Sequence, residues 1–166
     1  MVIGNPPYVN INTFSKDIHQ YFKREYGKIH TGYNDLMYYF LYKGINMLKK
    51  EGVFGMITSN YFLGNEYAKS LRHYLSVSIS EILNFKDYLI FEDANVHTAI
   101  IFAEKYQKNK TVKYRSIKDT KESLLIIEPE RFNTIIKDRE SLNEYWIFAS
   151  KDKNVTGKQI CPVFGK

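Results

Sequence analysis

The chain has 166 residues, 44% of them hydrophobic and 25% charged, enough for one folded domain with a core and a small appendage. It carries 24 Lys and Arg against 18 Asp and Glu, a net charge of +6, with 14 Tyr and 11 Phe; that balance suits a phosphate backbone and stacked bases but is not diagnostic of them. One cysteine, Cys161, excludes an intramolecular disulfide and a Cys-rich zinc site, and His19, His30, His73 and His97 show no ligand spacing, so no metal is expected. No apolar run approaches the roughly 18 residues a membrane span needs, and the first residues lack a signal-peptide pattern, so a soluble cytoplasmic protein without a membrane partner is expected.

Val2-Ile3-Gly4 reads as the last residues of a strand whose beginning is lost, because a buried strand usually wants about five apolar residues. Residues 15–27 have helical character with Ile18, Tyr21 and Phe22 on one side, and His30-Thr31-Gly32-Tyr33 reads as loop. A clear helix follows from Asn34 or Asp35 as N-cap, with Leu36, Met37, Phe40, Leu41, Ile45 and Leu48 inward and Gly52 as its stop. Residues 53–58 form a continuous apolar run, the pattern of a strand covered on both faces. Asn65 caps a second helix with Ala68, Leu71 and Leu75 inward and Lys69 and Arg72 outward. Residues 80–85 and 98–106 are two more strands, joined through Lys86 to His97. Helix and strand in alternation, closed by two strands on a short connection, predict an α/β sheet with an antiparallel strand at its edge. Beyond Gln107 the pattern weakens: residues 108–123 suggest a strand and linker, and residues 130–146 a helix. The expected division is therefore 1–106 and a small α+β extension over 107–166.

The segment that carries chemistry is Asn5-Pro6-Pro7-Tyr8, directly after the first strand end. A plain turn would use the same residue types. Ligand sites of open α/β sheets, however, lie at the carboxyl ends of strands, and two prolines remove donors and leave carbonyls facing outward. The Asn5 amide oxygen and the Pro6 carbonyl make a pair of acceptors beside the Tyr8 ring. Such a pair suits a planar conjugated NH2 group, whose lone pair is tied into a ring. Accepting both of its protons draws the lone pair out of conjugation and stabilises the positive charge that grows on nitrogen, while Tyr8 holds the ring in line.

These residues resemble the amino-methyltransferases that use S-adenosylmethionine, and among them the N6-adenine DNA methyltransferases of restriction-modification systems, in the gamma order found in bifunctional restriction-methylation enzymes. The resemblance covers about residues 1–106 and rests on Asn5 to Tyr8, Asn34 to Phe40, Glu51 to Phe62 and Phe91 to Ile101, in that order. It implies the C-terminal half of a Rossmann-like S-adenosylmethionine-dependent methyltransferase sheet, with its antiparallel hairpin. It implies that Asn5 and Pro6 accept from the adenine N6 group, Pro7 stiffens the loop, and Tyr8 and Phe91 stack on the two faces of a base flipped from double-stranded DNA. Tyr88 is the alternative to Phe91, which also reads as a core residue. Asp35, Leu36 and Phe40 would border the cofactor, although Asp35 serves equally well as a helix cap. Lys69, Arg72, Lys108, Lys110, Lys113 and Arg115 are candidate phosphate contacts, each also readable as a solvated charge.

The Gly-rich cofactor turn and the ribose-binding carboxylate of such enzymes precede Asn-Pro-Pro-Tyr, and no Gly-x-Gly occurs in this sequence. The expectation is half of a catalytic domain, unable to bind S-adenosylmethionine alone, needing the N-terminal half as partner and exposing a strand edge at residues 1–4. The alternatives are a non-catalytic DNA-binding or assembly fragment, an N4-cytosine target, or a methyltransferase acting on protein glutamine or on an RNA base.

Overall fold

Among the described residues six strands form one mixed sheet in the order β1-β2-β4-β3-β5-β6: β1 Val2–Gly4, β2 Val53–Ser59, β3 Ile79–Asn84, β4 Thr98–Glu104, β5 Thr111–Ile117 and β6 Phe132–Asp138. The computed structural model describes residues 1–91, 95–105, 108–117, 129–142, 146 and 148. β1, β2, β3 and β5 run in one direction, while β4 and β6 oppose them. The expected α/β sheet with its antiparallel pair is present. That pair lies inside the sheet, because β5 joins β3 in parallel and β6 extends it further.

Among the described residues three α-helices accompany the strands: α1 Lys16–Glu25, α2 Leu36–Met47 and α3 Lys69–Ser76. One sheet face carries Phe54, Met56, Ala99, Ile101, Ala103, Ile82 and Val112, buried with Met37, Leu41 and Ile45 of α2 and Leu71 and Leu75 of α3 in one core. Gly44 permits the close approach of α2 to β2, since a Cβ there would meet the Phe54 ring at 2.6 Å. Phe22 of α1 reaches that core by stacking on Tyr39 at 4.2 Å, whereas Ile18 and Tyr21 of α1 are exposed, unlike the one-sided stripe expected.

Residues 130–146 were expected to be helical, and here the structure differs: Phe132 to Asp138 is the last strand, paired with β5 from Phe132 against Ile117 to Asp138 against Thr111. Phe132, Ile135 and Ile136 mimic helical spacing, yet three consecutive β-branched residues, Thr134 to Ile136, favour extended backbone once an edge is available. β1 is the opposite edge of the sheet, as expected for residues 1–4, and Ile3 on it is 71% exposed. Among the described residues no helix is long and apolar enough to cross a membrane.

Candidate active site

β1 ends at Gly4, so Asn5 to Tyr8 emerge at the carboxyl end of a parallel strand. Asn5 and Pro7 are exposed, Pro6 is buried, and the half-buried Tyr8 ring packs against the main core. The Tyr8 hydroxyl donates to Asn5 Oδ1 at 3.0 Å, which fixes the amide with its oxygen toward the ring. Among the described residues that is the only partner of the Asn5 amide, so one oxygen lone pair remains for a ligand. Burial pushes the Tyr8 hydroxyl up to about 12, so it stays a neutral donor at any working pH.

The chain then folds back on the start of α2. Leu36 N–H donates to Val9 O at 2.7 Å, Ile11 N–H donates to Asn34 O at 3.1 Å, and Asn10 bridges to Asp35. This strap brings Asp35 and Leu36 beside the Asn-Pro-Pro-Tyr loop. Asn34 is fully buried and turns its amide inward, accepting from Thr31 N–H at 2.7 Å and donating to Ile29 O at 2.9 Å. Asp35 therefore takes the N-cap position with extended backbone, and its side chain makes no capping hydrogen bond. Burial raises its carboxyl above the usual range. Leu36 is half-buried, and Phe40, expected inward, lies 44% exposed one turn further along α2. Asp35, Leu36 and Phe40 thus lie on the first turns of α2, Leu36 packed against the core and Phe40 open to solvent.

At the carboxyl ends of β2 and β3, Asn60 Nδ2 donates to Asn84 Oδ1 at 3.0 Å, and Asn84 Nδ2 donates to the Tyr114 hydroxyl at 2.9 Å. Asn84 Oδ1 also accepts from Lys86 N–H at 2.8 Å, where the chain turns with positive φ. The loop beyond lays Tyr88 and Ile90 on a second cluster of Leu83, Phe85, Ile117 and Phe132. Tyr88 is thus committed to packing, while Phe91 is half-buried at the bend that follows and lies outside that cluster.

The candidate phosphate contacts divide. Arg72, expected outward, is only 1% exposed; its Nη1 donates to Phe62 O at 2.7 Å and Asn65 O at 2.5 Å, pinning the turn after β2. Arg115 pairs with Glu81 at 2.6 Å and Lys113 with the same carboxylate at 3.7 Å. Lys69, Lys108 and Lys110 are exposed. A groove of about 430 Å³ opens at the opposite end of the sheet, among Val53, Glu81, Phe102, Lys113 and Ile136. It is remote from the carboxyl ends where α/β sheets bind ligands, so the loop after β1 is the stronger candidate for the site. Among the described residues no three His, Cys, Asp or Glu side chains gather in a way that could hold a metal ion.

Residues 1–91, which carry the Asn-Pro-Pro-Tyr loop, α2 and β2, match the Eco57I restriction-modification methylase family. The chain belongs to that family. It is 22% identical over 160 residues to the type II restriction enzyme and methyltransferase RM.Eco57I of Escherichia coli, covering 93% of this chain and 16% of that protein. It is 35% identical over 107 residues to the type II methyltransferase M.BanIII of Aneurinibacillus aneurinilyticus, covering 63% of this chain and 18% of the relative. Among solved structures, the type IIG restriction endonuclease BpuSI superposes with a TM-score of 0.63 at 15% identity, over 87% of this chain and 20% of its own. The chain thus spans less than a fifth of the curated methylases it matches here.

The asparagine ladder Asn60-Asn84-Tyr114 was not singled out from the sequence. The available signal was an Asn at or just beyond the last residue of two strand-like runs, which by itself reads as a turn residue.

Proposed function

We propose that this chain supplies the target-base side of a DNA adenine-N6 methyltransferase in a restriction-modification system. The observation that carries the reading is the Asn5 amide, exposed at the carboxyl end of β1 and oriented by the Tyr8 hydroxyl, with Asp35 and Leu36 strapped beside it.

In this reading a flipped adenine enters against the Tyr8 ring, with Phe91 closing its other face. Asn5 Oδ1 and the Pro6 carbonyl accept the two N6 protons, so electron density moves from the ring conjugation onto nitrogen and the developing positive charge is stabilised. Pro6 and Pro7 hold that pair of acceptors in place, which lowers the entropy lost in reaching the reactive alignment. Once methylated, the cationic nitrogen is strongly acidic and loses its proton to solvent water. No strong general base is needed. S-adenosylmethionine, when bound, supplies an electrophilic methyl group on a sulfonium sulfur; Asp35, Leu36 and Phe40 are the residues of this chain that would border it. Since the 166 residues hold no Gly-x-Gly, we assign the remaining cofactor contacts to another part of the assembled enzyme, and residues 107–166 to the approach to its target-recognition region.

The test is 6-methyladenine in DNA exposed to the full-length parent enzyme, by mass spectrometry, with Asn5→Ala alongside. We expect Asn5→Ala to lower the rate by at least about a hundredfold, the usual cost of removing one preorganised polar contact from a charge-developing transition state. Retained methylation by Asn5→Ala, or 4-methylcytosine as the product, would overturn the assignment.

A further inference from the structure

Flipping a base out of a duplex unstacks its neighbours and leaves its partner without a mate, and Tyr8 and Phe91 attend only to the flipped base. A second pair of rings stands at the same end of the sheet. Tyr33 lies in the loop before α2, and Tyr67 in the turn of Glu66 to Ala68 before α3. Their ring centroids are 4.8 Å apart in a stacked arrangement tilted by 29°. Even so, Tyr33 remains 56% exposed and Tyr67 46% exposed, so about half of each residue is open to solvent.

Both rings are mounted on hydrogen-bonded turns. Gly32 takes φ +85°, which few side chains tolerate, and delivers Tyr33; Thr31 and the buried Asn34 close the loop behind it through the Thr31 N–H bond. The Thr31 hydroxyl donates to Asn34 Oδ1 at 3.1 Å and lies 3.5 Å from the Tyr67 carbonyl oxygen, joining the two turns. Tyr67 N–H is capped by Asn65 Oδ1 at 2.9 Å, in the turn whose carbonyls Arg72 holds. The platform is continuous with the proposed active site, since the carbonyl of Asn34, next to Tyr33, receives Ile11 N–H from the strap that follows Tyr8.

We propose that Tyr33 and Tyr67 form a stacking platform for an unpaired nucleobase of the DNA, the partner or neighbour of the flipped adenine. Resting on the function proposed above, it adds a second stacking site to it. A nucleobase suits the pair better than a protein surface does. Rigid rings with hydroxyl edges offer planar contact at little entropic cost, whereas a protein contact wants contiguous apolar area. The residues next to Tyr33 and Tyr67 along the chain are Gly32 and Asn34, and Glu66 and Ala68, none of them a large hydrophobic residue.

The experiment is fluorescence anisotropy of a labelled single-stranded oligonucleotide titrated with the full-length parent enzyme, without cofactor, repeated over a range of salt. Tyr33→Ala and Tyr67→Ala should each weaken binding by about tenfold, the scale of one lost base stack, while Tyr33→Phe and Tyr67→Phe stay within about twofold. The salt slope should not change, because no phosphate contact is removed. Thermal melting confirms that each variant is folded, and Tyr33→Leu supplies a bulky non-aromatic control that should behave like Ala. Unchanged affinity in the Ala variants, equal loss in the Phe variants, or no binding by the unsubstituted enzyme would each overturn the platform. The assay contains no cofactor and no methyl transfer. Failure of the platform would therefore leave the Asn5 test standing, and failure of the Asn5 test would not alter this readout.

Discussion

Asn5 and Asn84 are the same residue type at the same end of the same sheet, one just after β1 and the other closing β3, and they do opposite things. Asn84 is buried and its amide is spent: the oxygen accepts from Asn60 and from Lys86 N–H, and the nitrogen donates to Tyr114. Asn5 is exposed and its amide has one partner among the described residues, the Tyr8 hydroxyl. A satisfied polar group is architecture; one that is oriented and left with capacity is available for chemistry. What separates the two is therefore unused hydrogen-bonding capacity in a fixed orientation.

The contrast breaks most sharply if Asn5→Ala changes stability. We expect its effect to fall on methyl transfer, at least about a hundredfold, with the urea midpoint hardly moved, because surface substitutions usually stay within about 0.5 kcal/mol. Arg72→Met should be the most destabilising of the structural changes. It leaves the Phe62 and Asn65 carbonyls without their cationic donor, at a cost of about 2 to 3 kcal/mol in chemical denaturation. Asn84→Ala should follow at about 1 to 2 kcal/mol, since it strands Asn60 Nδ2, Lys86 N–H and the Tyr114 hydroxyl near water that can partly replace it. Equal stability losses at positions 5 and 84 would erase the distinction.

Only the Asn5 side of this contrast was legible in the sequence, and the reasons for the rest are physical. Asn-Pro-Pro-Tyr after a strand end carries its own geometry, because proline restricts the backbone and strand ends collect ligands. α2 and β2 announced themselves through periodicity and a continuous apolar run. Arg72 did not, because a helical wheel places it on the polar side and only the turn of Phe62 to Asn65, folding over α3, buries it. β6 was hidden for a related reason: its spacing satisfies a helix, and the decision belongs to β5, whose open edge rewards extended pairing. The Tyr33–Tyr67 stack joins residues from two turns, a juxtaposition that no local pattern encodes.

The smallest expected effect is the most informative about how Asn5 is held. Tyr8→Phe keeps the ring that stacks and removes only the hydroxyl that donates to Asn5 Oδ1. If orientation of the amide matters, kcat of the full-length enzyme should fall by about fivefold, the worth of one neutral hydrogen bond, with KM for DNA nearly unchanged. A change in KM instead would mean that the hydroxyl binds the base and does not orient Asn5. Stability supplies an independent check. Burial holds the Tyr8 hydroxyl at about 12, above its ordinary value of 10.0, so the folded state keeps this proton when the unfolded chain has lost it. Its contribution is fully present below pH 10 and is lost as pH rises toward 12. Other buried tyrosines share that sign, so the quantity to measure is the difference between wild type and Tyr8→Phe, which should shrink between pH 9 and about pH 11.5. A difference that stays constant across that window would show that the hydroxyl is not buried in the folded chain as the structure has it.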